Sequence, residues 1–250
     1  AVLDDIEGWN ISPYLGAGEF YLGYGDFDYK ITVPFDHIVV GSGELQNARK
    51  VLTQVQRERL KRAANSDETV FIIAPEEGGN ISTRPKSSGM QTWHFKMKNS
   101  RDVAFASSKG FIWDAARINL PSGKTALAQS VYPKVSYDYG WDRSTEYTKA
   151  SIEFYSDTYF EYPYPVATNI ATNVNGMEYP SVSFCKYDRG GESLWGVTDH
   201  EFGHNWFPMI VGSNERLHGW LDEGLNMFIN HYSTLAFNKG EYNSRMNTAK

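Results

Sequence analysis

His200-Glu201-Phe202-Gly203-His204, followed after eighteen residues by Glu223, constrains the fold more than any other stretch of this chain. Two histidines four apart lie about 40° from each other around a helix of 3.6 residues per turn. Both rings therefore leave one face, one turn apart, which is the spacing a tetrahedral zinc ion needs from two nitrogen ligands. Glu201 lies beside them and reaches a water held at such a metal. Glu223, inside Trp220-Leu221-Asp222-Glu223-Gly224, supplies a third ligand from the next helix. The fourth position stays open for water, as in catalytic rather than structural sites. Three fixed letters recur by chance, so the helical context carries much of the weight. Leu194 to Phe207 reads as a helix with Val197, His200, Glu201, His204 and Pro208 along one side. His218 to Phe237 reads as another, with Leu221, Leu225, Phe228 and Ile229 at helical spacing.

A third segment, Asn175-Gly176-Met177-Glu178-Tyr179-Pro180, places Glu178 22 residues before His200. Together the three segments resemble the gluzincin metallopeptidases, and within them the aminopeptidase N and leukotriene hydrolase family, whose exopeptidase motif is G-x-M-E-N. The resemblance implies one zinc ion per chain on His200, His204 and Glu223, with Glu201 as general base. It implies that Glu178 binds the free α-ammonium of a peptide substrate, and that the backbone at Gly176 and Met177 lies along the substrate as an edge strand. A carboxylate set a short distance from the metal measures the chain end, so only the first peptide bond reaches the ion. Tyr179 stands where the family has Asn, a departure that bears on substrate preference and leaves the metal and the acid intact.

In such a site zinc lowers the pKa of a bound water toward about 7 and polarises the scissile carbonyl. Glu201 takes the water's proton and passes it to the leaving amine. The other ring nitrogen of each histidine needs an acceptor, and Asn230, two turns beyond Glu223, is a candidate. The family's oxyanion tyrosine is expected beyond Lys250 and its second amine anchor before Ala1, so the chain reads as a piece of a longer protein. Missing one oxyanion donor costs about 10²–10³ in turnover, so this stretch by itself is expected to be slow or inactive. Two further readings stay open: an endopeptidase of the same clan, and a scaffold that uses the groove only to bind peptides. An epoxide hydrolase activity, as in one branch of the family, also stays open.

The expected fold is α+β: a β-rich N-terminal portion, then a thermolysin-like α/β catalytic portion with the zinc site on two helices. The first covers residues 1–130, the later half of a β-rich domain, and the second covers 131–250. Glu19 to Tyr24, Tyr29 to Val33, His37 to Val40, Val70 to Ala74, Trp93 to Met97 and Ala126 to Tyr132 have strand character. Thr53-Gln54-Val55-Gln56 is a capping box that opens a helix. Beyond residue 130, Asp142 to Phe160 reads as an amphipathic helix and Ala167 to Val174 as a strand.

A net charge of −6 with only short basic clusters, of which Arg57, Arg59, Lys61 and Arg62 form the densest, argues against a nucleic-acid partner. No apolar run approaches the roughly 20 residues of a membrane span. The single cysteine, Cys185, has no internal disulfide partner and is expected to be buried. His37, His94, His218 and His231 are expected to be structural. The expected compartment is that of an exported or periplasmic bacterial enzyme.

Overall fold

The structure is a computed structural model that describes residues 2–4, 8–11, 13, 18 and 22–243. Its centre is a six-stranded mixed sheet. In spatial order the strands are Gly176–Tyr179, Val182–Lys186, Val166–Thr172, Thr125–Tyr132, Ile112–Asn119 and Val70–Ile73. Thr125–Tyr132 runs antiparallel to Ile112–Asn119 and parallel to Val166–Thr172. The parallel step needs a crossover, and the helix Ser144–Thr158 supplies it.

Side chains on a strand alternate between faces, so each face of this sheet has its own core. Trp113, Ala115, Val131, Ile170 and Val182 join one cluster with Ile38, Val51, Ala63 and Trp93 from the β-rich half. On the other face Ala128 and Ala167 pack with Phe202 and Trp206, while Tyr132, Ala171 and Cys185 pack with Leu194 and Trp195. The helical half thus covers one face and the β-rich half the other, and the sheet takes strands from both sides of residue 130.

The β-rich half adds Gly25–Pro34 paired with Met90–Ser100, and Ile38–Gly41 paired with Phe105–Ser108. Trp93, Phe95 and Met97 alternate inward as their period-two pattern requires. The helix Gln54–Ala63 opens on the expected capping box. Thr53 Oγ1 accepts from the Gln56 amide, and Gln56 Oε1 accepts from the Thr53 amide at 2.9 Å. Of the expected strand Glu19 to Tyr24, residues 19–21 lie outside the described residues and 22–24 are irregular.

Two helices differ from their sequence patterns. The histidine helix spans Gly191–Gly203, and after His204 the chain turns irregular over Asn205–Ile210. Phe207 is extended, because the residue before a proline is held out of the helical region. Pro208 therefore leaves the face that the spacing assigned to it. The second helix comes in pieces. An irregular stretch at Glu215–Gly219 and a turn at Trp220–Gly224 precede the regular helix Leu225–Ala236. No helix among the described residues is long and apolar enough to cross a membrane.

Candidate metal centre

The histidine helix begins at Gly190-Gly191, after the strand Val182–Lys186, and returns over the edge of the sheet. Leu194, Trp195 and Phe202 bury its inner side, which leaves His200 and His204 facing the loop that carries Glu223. The turn that follows the edge strand Gly176–Tyr179 is fixed from two sides. Asn205 Oδ1 accepts from the Ser181 amide at 2.8 Å, and Ser42 Oγ donates to the Pro180 carbonyl at 2.8 Å. The result is a cleft of about 300 Å³ lined by Asn175, Gly176, Met177, Glu178, Val197, His200, Glu201, His204 and Glu223. The seven residues expected to hold metal, bind substrate or act as base meet there. A hollow of about 410 Å³ between Val39, Leu45, Phe95 and Trp113 is larger, yet it brings no metal-ligating group together among the described residues.

The hydrogen bonds fix which nitrogen each ring presents. His200 Nδ1 lies 3.0 Å from the acceptor Asn230 Oδ1 and 3.3 Å from the amide nitrogen Asn226 Nδ2, and the shorter bond makes it the donor; His204 Nδ1 donates to the Phe207 carbonyl at 2.9 Å. Asp222 Oδ1 also approaches His204 Nδ1, at 2.8 Å. With both Nδ1 protons committed, both Nε2 atoms offer lone pairs. Those two atoms are 3.2 Å apart, and Glu223 Oε2 lies 3.4 Å from the first and 3.9 Å from the second. Three lone pairs converging this closely repel unless a cation, a proton or a metal ion, lies between them. Tetrahedral bonds of about 2.0–2.1 Å place neighbouring ligand atoms about 3.3 Å apart, so the donor set fits zinc in both chemistry and spacing.

The protein's own groups create a steep local field. Burial opposes charge on His204, but the bond to Asp222 and the charges of Glu178, Asp222 and Glu201 outweigh it and push the ring up to about 10. His200 is also raised: burial acts against its charge, and the Glu223 carboxylate prevails. The same His200 bond holds Glu223 below the usual carboxylate range. Glu201 goes the other way, because burial and then the Glu178 charge push its carboxyl up to about 8. This residue is 4% exposed, and its Oε2 has no hydrogen-bond partner among the described residues. Its Oε1 occupies the space over Gly176, where an added Cβ would lie only 2.0 Å away. Glu178 is 7% exposed on the edge strand, so two buried carboxylates and the donor cluster share one cleft.

Asn230 takes the place its helical spacing suggested. Asp222, Asn226 and the Phe207 carbonyl are site groups that the sequence pattern did not single out. The available signal was the sharing of one helix face by Asn226 and Asn230, four apart. The remaining histidines have other partners or none in the site. His37 bonds Ser107 Oγ and His94 pairs with Asp28. Cys185 is fully buried, and its thiol is pushed well up by that burial.

No protein-family model and no curated protein sequence matches this chain. Solved structures do share its fold. An M1 zinc metallopeptidase from Deinococcus radiodurans aligns over 87% of this chain and 42% of its own, with a TM-score of 0.57 and 14% identity. A variant of a two-domain M1 zinc metallopeptidase bound to L-arginine aligns over 84% and 40%, with a TM-score of 0.55 and 14% identity. Legionella pneumophila aminopeptidase A, in complex with aspartic acid, aligns over 86% and 23%, with a TM-score of 0.61 and 12% identity. The chain thus has the mixed α+β fold of these zinc peptidases, with a β-rich N-terminal part and a mixed sheet. It spans about two fifths of the first two proteins and less than a quarter of the third.

Proposed function

We propose that the chain carries the zinc centre and amine-binding edge of an aminopeptidase, within a thermolysin-like catalytic portion. The observation that carries this reading is the convergence of His200 Nε2, His204 Nε2 and Glu223 Oε2, each Nδ1 being tied to an acceptor. The likeness of fold to zinc peptidases supports it. The two histidines and Glu223 would hold the ion. When bound, zinc supplies a Lewis acid that makes a water acidic and polarises a carbonyl.

The chain's own residues divide the remaining work. Glu201, buried with Oε2 lacking a hydrogen-bond partner among the described residues, is the general base: it accepts a proton from the attacking water and delivers it to the leaving amine. Glu178 receives the α-ammonium of the substrate. A cation entering so small a cleft loses its water, and a buried carboxylate compensates that loss. The edge strand Gly176–Tyr179 pairs with one strand among the described residues, and an extended peptide is proposed to add along its other side. Peptides with a free N-terminus are therefore the proposed substrates.

The test is cleavage of a matched pair: an aminoacyl fluorogenic amide with a free amine and its N-acetylated twin, with zinc content measured on the same sample. The ratio decides, whatever the absolute rate. Cleavage of the free-amine substrate alone supports the role of Glu178. Equal cleavage of both removes that role and leaves an endopeptidase. A longer protein carrying this stretch that holds zinc and cleaves neither fits a peptide-binding scaffold instead.

A further inference from the structure

Gly203 is a costly choice for a helix, where alanine is far better. Its backbone gives no reason for it, since the residue is ordinary helix and does not have a positive φ. The space around it does. A Cβ at Gly203 would lie 2.0 Å from Asn226 Oδ1, 3.1 Å from Asn226 Cγ and 2.8 Å from Asn230 Nδ2. Both amides belong to the facing helix Leu225–Ala236.

Both amides are held by hydrogen bonds. Asn226 is fully buried and its Nδ2 donates to the His200 carbonyl at 2.8 Å. Its Oδ1 accepts from Asn230 Nδ2 at 3.3 Å. Asn230 Nδ2 also donates to the Tyr155 hydroxyl at 2.8 Å, which leaves Asn230 Oδ1 turned to His200 Nδ1. Tyr155 in turn donates to the Asp199 carbonyl, so its hydroxyl accepts from Asn230 Nδ2 and Asn230 Oδ1 is the face left for His200 Nδ1, at 3.0 Å; Asn226 Nδ2 makes a longer contact with the same ring nitrogen, at 3.3 Å.

We propose that Gly203 and Asn226 are positioning residues for His200. The absent side chain at 203 is the seat of an amide pair that takes the Nδ1 proton of His200 and keeps Nε2 bare toward His204 and Glu223. The consequence for metal binding rests on the zinc reading above; the consequence for the ring does not. A side chain at 203 displaces Asn226, and Asn230 with it, and frees Nδ1. The ring proton then moves to Nε2, and the nitrogen that should bind a metal carries a hydrogen instead.

The experiment uses the whole chain with isotope-labelled histidine, stripped of metal, at an alkaline pH where the His200 ring is neutral. Proton–nitrogen correlations report the His200 tautomer in the wild type, Gly203→Ala and Asn226→Ala. The expected result is an Nδ1–H ring in the wild type and a substantial Nε2–H population in both variants, with the other histidines unchanged. Zinc affinity, read by chelator competition, is expected to fall about 10–100-fold in both, the usual effect of losing a partner of a metal-bound histidine. Asn226→Ala introduces no clash, so it decides the matter if Gly203→Ala does not fold. A wild-type ring in a folded variant with unchanged zinc affinity overturns the proposal, as does an Nε2–H ring in the wild type. A wild type that binds no zinc overturns the metal reading instead, and the tautomers still judge the clamp.

Discussion

Gly176 and Glu201 compete for one small volume, and the glycine yields it. The Oε1 of Glu201 stands 2.0 Å from where a Cβ at 176 would be, and Val197 Cγ2 closes the same space at 3.2 Å. Alanine at 176 therefore moves the carboxylate and leaves His200, His204 and Glu223 in place. Gly176→Ala is expected to lower kcat by about 10²-fold, within the range set by a misplaced general base, with zinc affinity unchanged. Equal losses in turnover and in zinc binding would show that the residue acts on the cluster as a whole. Glu201→Gln keeps the volume and removes the base, so kcat is expected to fall about 10²–10⁴-fold with zinc retained. Steady-state kinetics and chelator competition on the same samples check both. At this scale the sequence was informative where spacing alone places a side chain. His200, His204 and Asn230 follow from helical periodicity and Glu223 from the spacing of the motif, whereas Asp222 meets His204 only because the chain turns irregularly at Trp220–Gly224. Asn226 was hidden for another reason: its role depends on how closely two helices approach, and no pattern within one helix encodes that distance.

Among the elements, the strand Ile112–Asn119 was the one least visible in the sequence, and it lies inside the central sheet. Its sequence, Ile-Trp-Asp-Ala-Ala-Arg-Ile-Asn, mixes a carboxylate and a guanidinium with two alanines and so lacks the alternation of a half-buried strand. Asp114 is the reason it can be buried at all. The Tyr132 hydroxyl and Thr145 Oγ1 both donate to its carboxylate, in a cluster that continues to Ser130 and Ser144. Burial pushes this carboxyl up to about 7 against those two bonds, which act the other way. A folded-state pKa above the unfolded value means that the folded chain binds the proton more tightly. The contribution of Asp114 to stability is thus greatest below about pH 4, declines as the pH rises toward about 7, and is lost above that. Asp114→Asn removes the titration. Relative to wild type, the variant is expected to gain stability between pH 4 and pH 7, by an amount on the order of a few kcal/mol. Chemical denaturation of both proteins across that range checks it, and a constant difference at every pH would mean that Asp114 does not titrate there.

For the molecule as a whole, the central sheet decides whether its two portions fold apart. We propose the division near residue 130 as one of architecture rather than of folding. Composition shifts there because a β-rich half gives way to helices, and that shift was legible. The pairing across it was not, since strand order in a mixed sheet depends on long-range contacts that local patterns do not specify. Thr125–Tyr132 spans the boundary and holds Ile112–Asn119 on one side and Val166–Thr172 on the other. Val131 sits in that strand at 0% exposure, inside the cluster that joins Trp93 and Trp113 to Ile170 and Val182. Neither portion can lose this strand and keep its own core, so unfolding is expected to be one cooperative transition. Fluorine-labelled tryptophan makes this visible, because Trp93 reports the β-rich half and Trp195 the histidine helix, both at most 1% exposed. Their native signals should disappear at one temperature. Val131→Ala empties part of the shared core at a cost of about 2 kcal/mol, which for a chain of this size moves the midpoint down by about 4–8 °C. Both tryptophan signals should move together by that amount. If Trp195 keeps its midpoint while that of Trp93 falls, the helical portion folds independently of the sheet it shares, and residue 130 is a true domain boundary.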